Sequence, residues 1–263
     1  MSDSIFPELS VDLLVRMSFL IDFKDKVLKI LGSSAKVSAL AGSSNAKDLR
    51  GFASQLSAAR RWMKFGKIIR STPELLNPMG DLVVPTKAAP MEYAKLFLSK
   101  GEFLADVFQM LAEDVHTLHK AQYWSSGLGL RPIKRIDVIE DRAWWVWSVF
   151  ATINSGIELK GLKSRLESAQ LRLAALNEET VPEEVKSMKQ EVAVLKVKYY
   201  LALLKFVKFF CEVIDSSIAI APENVKAVSP KLFELVSCFF GSLSAVSSLH
   251  KILLTESLAI ARK

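Results

Sequence analysis

LRGFASQLSAARRWMKFGKIIR, Leu49 to Arg70, sets an apolar stripe and a run of cations on the same twenty-odd residues. Wound at 100° per residue, Phe52, Leu56, Ala59, Met63 and Gly66 fall on one line, and Ala58, Trp62, Phe65 and Ile69 broaden it. Arg50, Ser57, Arg60, Arg61, Lys64, Lys67 and Ser71 occupy the opposite arc, while Ile68 and Arg70 fall out of pattern in the last turn. No acidic residue stands between Asp48 and Glu74, so the polar face lacks the i,i+4 ion pairs of an ordinary solvated helix. Two readings suit this face: an interfacial helix with cations toward anionic head groups, or a basic surface helix packed on a soluble core.

Outward from this stretch, charge is uneven. From Lys24 to Arg70 there are eleven Lys or Arg against Asp25 and Asp48, a local balance of +9 in a chain of net charge +7, so the rest sums to −2. Such concentration points to an anionic partner, a membrane surface or nucleic acid. Trp62 and Phe65 belong to the continuous apolar face instead of standing singly among the cations as stacking platforms, which favours lipid and argues against nucleic acid. The 263 residues are half hydrophobic, with a mean hydropathy of +0.24. Cys211 and Cys238 lie in apolar runs and read as buried thiols.

The remaining chain reads as helices. Ser10 to Leu31 carries a 3–4 periodicity, and Gly32 with two serines is expected to separate it from a short helix at Ala35 to Leu40. Four prolines between Pro73 and Pro90 mark a linker. The apolar face of Glu92 to Ala121, from Tyr93 to Leu118, is expected to pack against protein, because Lys100, Glu102, Asp106, Glu113 and Asp114 interrupt it. Trp144 to Ile157 has no charge and fits either an interfacial belt or an aromatic core cluster. Leu159, Leu162, Leu166, Ala169, Leu173 and Leu176 form a heptad, resumed at Val181, Val185, Met188, Val192 and Leu195, which predicts an antiparallel hairpin.

In the following helix Lys205, Lys208, Glu212 and Asp215 make one charged stripe that must face a bundle if the helix enters a membrane. Pro222 to Pro230 reads as a loop, and Leu232 to Leu249, rich in Gly, Ala and Ser with one charge, reads as a membrane span or a core helix. The expected segments are 1–72, a basic helical module; 73–91, a linker; 92–157, a helical region with the Trp-rich run; 158–197, the hairpin; and 198–263, a membrane-anchoring helical pair. The fold class is all-α, a helical membrane protein.

Catalytic patterns are weak. No glycine-rich phosphate loop appears, and Glu113 and Asp114 are adjacent and diverge, unlike a carboxylate pair. His116 and His119 are spaced to share a metal but lack a third ligand in sequence, so a partly exposed polar face is expected. No cofactor, no metal and no enzyme activity are expected.

Four strings, in order, resemble the peroxin-11 family of peroxisomal membrane elongation factors: DKVLKILGSSAKV (Asp25 to Val37), LSAARRWMKFGK (Leu56 to Lys67), AWWVWSVF (Ala143 to Phe150), and LLKFVKFFCEVIDSSIAI with SPKLFELVSCFFGSLSAVSSLHK (Leu203 to Lys251). Trp62 and Met63 depart from the family's usual residues, and Glu212 replaces its usual Asp. The resemblance implies a peroxisomal membrane protein that elongates the organelle before fission by a dynamin-related GTPase, that oligomerises and, in some members, conducts small metabolites. The residues suggest a mechanism: Phe52, Leu56, Ala59, Trp62, Met63, Phe65 and Ile69 wedge one leaflet, and Arg60, Arg61, Lys64 and Lys67 meet anionic phospholipid. The alternative is a homo-oligomeric pore whose polar path is Lys205, Lys208, Glu212 and Asp215.

Overall fold

The computed structural model describes residues 20–66, 90–120, 133–175 and 182–261. Seven helices are present among the described residues: α1 (Ile21–Leu40), α2 (Ala46–Lys64), α3 (Pro90–Lys120), α4 (Ile133–Ala174), α5 (Pro182–Ile220), the short α6 (Glu223–Val228) and α7 (Pro230–Ala261). They contain no strand. Each packs on its neighbour in the order α2, α1, α7, α5, α4, α3, and α3 touches α2 again, so the series closes round a central cavity.

Gly32 does not interrupt α1. It faces Ala53 and Leu56 of α2, and with Ala35, Ala39 and Ala53, all buried, it lets two helix backbones approach closely. The chain turns at Gly42, whose φ of 88° suits the absence of a side chain. α2 stops at Gly66, φ 73°, whose amide donates to Asp114 Oδ1 of α3 at 3.2 Å. Between Pro222 and Pro230 the expected loop instead holds α6, one and a half turns long, with the Val225 and Lys226 amides donating to the Pro222 carbonyl.

α4 and α5 form the expected hairpin. Ala169 and Val192 are buried between its arms, and Leu159, Leu162, Leu166, Val185, Met188 and Leu195 are partly buried beside them. Leu176 and Val181 lie outside the described residues. Both arms continue as single helices into the bundle, across 157/158 and across 197/198. There Trp145 Nε1 donates to Ser217 Oγ at 3.0 Å, and the Trp147 and Phe209 rings meet edge to face.

Polar and apolar side chains share the interior. The wholly enclosed ones include Asp25, His116, Ser148, Ser155, Ser216 and Ser244 beside Met110 and Cys211, whereas Phe97, Leu104, Phe108, Leu111 and Val115 stand along the outside of α3. The expectation that the α3 apolar face packs on protein is therefore corrected. The physical reason lies on its other face: Glu102 accepts from Asn154 of α4, Glu113 pairs with Lys64 and Asp114 takes the Gly66 amide, so ionic partners draw the polar side inward. Along α7 the same holds for Leu232, Leu235, Phe239, Leu243 and Val246, all exposed.

Helix α3 also meets α4 without room to spare. A Cβ at Gly101 would stand 2.6 Å from Phe150 Cε1, closer than atoms pack. Gly101→Val is expected to destabilise by about 1–3 kcal/mol through overpacking, and thermal melts should show partial relief when Phe150→Ala is added.

Candidate functional site

The basic face of α2 points into the protein. Arg60 Nε donates to Asp25 Oδ1 of α1 at 2.9 Å; Lys26 and Lys64 stand 3.1 and 3.7 Å from the same carboxylate. Asp25 is 1% exposed. Burial pushes its carboxyl up, but Lys64, Lys26 and Arg60 together outweigh that and hold it well below the usual carboxylate range. Lys64 also reaches Glu113 of α3 at 3.6 Å, and Arg61 reaches Glu140 of α4 at 3.7 Å. Near the surface Arg50 lies 3.7 Å from Glu234 of α7.

The counter-ions missing within 49–73 are thus supplied by four other helices. This places Arg60, Arg61 and Lys64 away from the role of simple head-group contacts. Phe52, Trp62 and Phe65, by contrast, are exposed, as are Ala58 and Ala59; Leu56 and Met63 are partly covered. Trp62 and Phe65 meet edge to face with ring centroids 5.6 Å apart. Lys67 and Ile69 lie outside the described residues.

His116 corrects the expectation of a partly exposed polar face, being 2% exposed. Asp137 Oδ1 of α4 lies 2.7 Å from its Nε2, Glu140 Oε2 contacts Nδ1, and Arg61 Nη1 sits 2.9 and 3.0 Å from the two ring nitrogens. His116, Asp137 and Glu140 offer three ligand atoms within 4.8 Å of one another, the only set able to hold a metal among the described residues. The side chain of His119 lies outside the description. No local sequence signal joins His116 to Asp137 and Glu140, because they sit more than twenty positions away.

The stripe Lys205, Lys208, Glu212 and Asp215 does line the interior, on a cavity of about 990 Å³ shared with Lys29, Asp25 and Trp144. Glu212 Oε1 accepts from Ser244 Oγ at 3.0 Å, and Asp215 Oδ1 accepts from Ser237 Oγ. Lys29 stands 3.8 Å from Asp215, while Lys208 sits over the Phe209 and Trp147 rings at 4.2 and 5.5 Å. Lys205 donates to Glu158 at 2.9 Å near the cavity mouth. All four belong to one chain's cavity and need no second copy to enclose them.

Among the described residues the fold is all helical, charged side chains line its cavity, and one helix, Pro230–Ala259, is long and apolar enough to cross a bilayer, which fits an all-α membrane protein. The family follows from the sequence match: residues 11–253 match the model of Peroxisomal biogenesis factor 11, and the chain belongs to that family. No curated protein and no solved structure matches the chain.

Proposed function

We propose that this protein acts in the peroxisomal membrane as a bilayer-bending factor, inserting the outer face of α2 into one leaflet. The observation that supports it is the outward, edge-to-face aromatic pair Trp62–Phe65, with Phe52 further along the helix, on a helix whose opposite face is clamped by ion pairs to α1, α3 and α4. A clamped helix cannot roll to hide its aromatics. Phe52, Trp62 and Phe65 are 48%, 47% and 37% exposed, so covering what remains at the acyl boundary yields roughly 2–4 kcal/mol, and insertion into one leaflet expands it and favours positive curvature. Anionic phospholipid remains the partner surface. Lys24 and Lys47 are exposed and outside every ion pair described, so they take the head-group role beside Lys67. Assembly of several copies and recruitment of the dynamin-related fission machinery are part of this reading and rest on the family resemblance.

Full-length protein mixed with anionic liposomes is expected to draw tubules visible by electron microscopy. Trp62→Glu with Phe65→Glu should abolish most tubulation at unchanged helicity, because both side chains project outward. Tubules as frequent as the wild type's would overturn the wedge.

The stripe-lined cavity supports a second reading, a polar conduit through the bundle. In planar bilayers Lys208→Glu would then shift the ion selectivity of the conductance, and well-inserted protein without conductance would rule this reading out.

A further inference from the structure

Two hollows meet at the seam between α1 and α7. The larger is the charged central cavity. The smaller, of about 580 Å³, is lined by Val37 of α1 and by Leu235, Val236, Phe239 and Phe240 of α7. Ser33 and Cys238 line both, so within a turn of each helix the wall passes from ionic to apolar. Leu235, Phe239 and Val37 are themselves exposed, which opens the apolar groove to the surroundings of the bundle.

The ionic side holds an acceptor with no hydrogen-bond partner and a cation outside any ion pair described, although Lys208 and Lys29 stand near enough for their charges to act on Glu212. Glu212 is enclosed, and its Oε2 has no hydrogen-bond partner although Oε1 is satisfied. Lys36 lines the same cavity, carries no ion pair or hydrogen bond among the described residues, and is near enough for its charge to act on Asp215 and Cys238. Gly241 keeps the floor between them low, since a Cβ there would stand 3.1 Å from Asp215 Oδ2 and 3.3 Å from Lys29 Cε.

An occupant that satisfies all three features needs an N–H donor for Glu212, an anion for Lys36 and a hydrocarbon chain for the groove. A soluble phosphate leaves the groove unused. A fatty acid brings no donor, and a quaternary ammonium has no N–H. We propose that the α1–α7 seam binds an aminophospholipid, its ammonium at Glu212, its phosphate at Lys36 and one acyl chain along Val37, Leu235 and Phe239. The site does not depend on the α2 wedge.

Native mass spectrometry of the full-length protein in mild detergent tests this with phosphatidylethanolamine, phosphatidylcholine of the same chains, and phosphoethanolamine without chains. Phosphatidylethanolamine should be retained about tenfold more strongly than phosphatidylcholine, with phosphoethanolamine lost. Glu212→Gln should reduce the aminolipid to the phosphatidylcholine level, and Lys36→Glu should weaken both lipids. Val37→Trp, at an exposed position, should fill the groove and exclude lipid at unchanged helicity, so Lys36→Glu and Val37→Trp decide the matter if Glu212→Gln fails to fold. Equal retention of the two lipids, retention unchanged in Lys36→Glu and Val37→Trp, or phosphoethanolamine held as firmly as its lipid would each overturn the proposal. Trp62→Glu should bind phosphatidylethanolamine normally, which separates this site from the wedge.

Discussion

Asp25→Asn is expected to destabilise the protein by about 3 kcal/mol, the low end for removing one partner of a buried ion cluster. Arg60, Lys64 and Lys26 converge on this carboxylate and are themselves only partly covered, so water recovers some of the loss. What remains is three like charges held together without a counter-ion. Thermal unfolding in detergent should show the drop, and Arg60→Gln added to Asp25→Asn should restore part of it by removing one uncompensated cation. The pH dependence has a definite sign. Because Asp25 titrates lower in the folded protein than in the unfolded chain, its contribution is complete above the ordinary aspartate value of about 4 and fades as pH falls through the lower folded value. The Asn variant should lose that part of the acid limb. Wild-type and variant stabilities that stay equal at neutral pH would show that the cations do not need Asp25.

The same carboxylate shows what could be read from sequence. Besides Asp48 it is the single acid among eleven cations, and its flanking Lys24 and Lys26 make it look like noise in a basic patch. Helical periodicity gave the elements because 3.6-residue spacing is local: α3, the α4–α5 hairpin and α7 all appear in the pattern of single segments. Which way a face points is not local. An amphipathic helix has the same spacing whether its apolar side meets a core or a bilayer; the charges of α3 argue for an apolar face on protein, yet Glu102, Glu113 and Asp114 are the side that meets the bundle. The stripe from Lys205 to Asp215 was legible because four charges on one side of an otherwise apolar helix leave one place for them to go. Gly32 misled for a related reason. A glycine weakens an isolated helix, yet here it is the contact that lets α2 lie against α1. The His116 cluster joins three helices and the Asp25 clamp two, and neither has a signature in any one of them.

Phe239→Asp combined with Val246→Asp should distinguish a lipid-facing α7 from a water-facing one by the sign of its effect. Both side chains lie on the outside of the helix, Phe239 at 61% exposure, and only a third of the apolar window of Pro230–Ala259 is buried within the protein. A core helix of a soluble protein would show the reverse. In water, replacing two exposed apolar residues by aspartate changes stability by about 0.5 kcal/mol per site or less and raises solubility. In a bilayer each aspartate near the middle of a span costs about 2.5–3.5 kcal/mol, so the pair removes about 5–7 kcal/mol of insertion free energy. Wild-type protein is accordingly expected to remain in the pellet after alkaline extraction of membranes, and the double variant to move largely to the supernatant or be degraded. Ser244→Asp gives no such contrast, because Ser244 faces Glu212 and a charge there would be repelled in either setting. A double variant that stays in the pellet and unfolds no more readily than the wild type would place the outer face of α7 against something other than lipid. Loss of membrane retention at intact helicity would fix α7 as the membrane anchor.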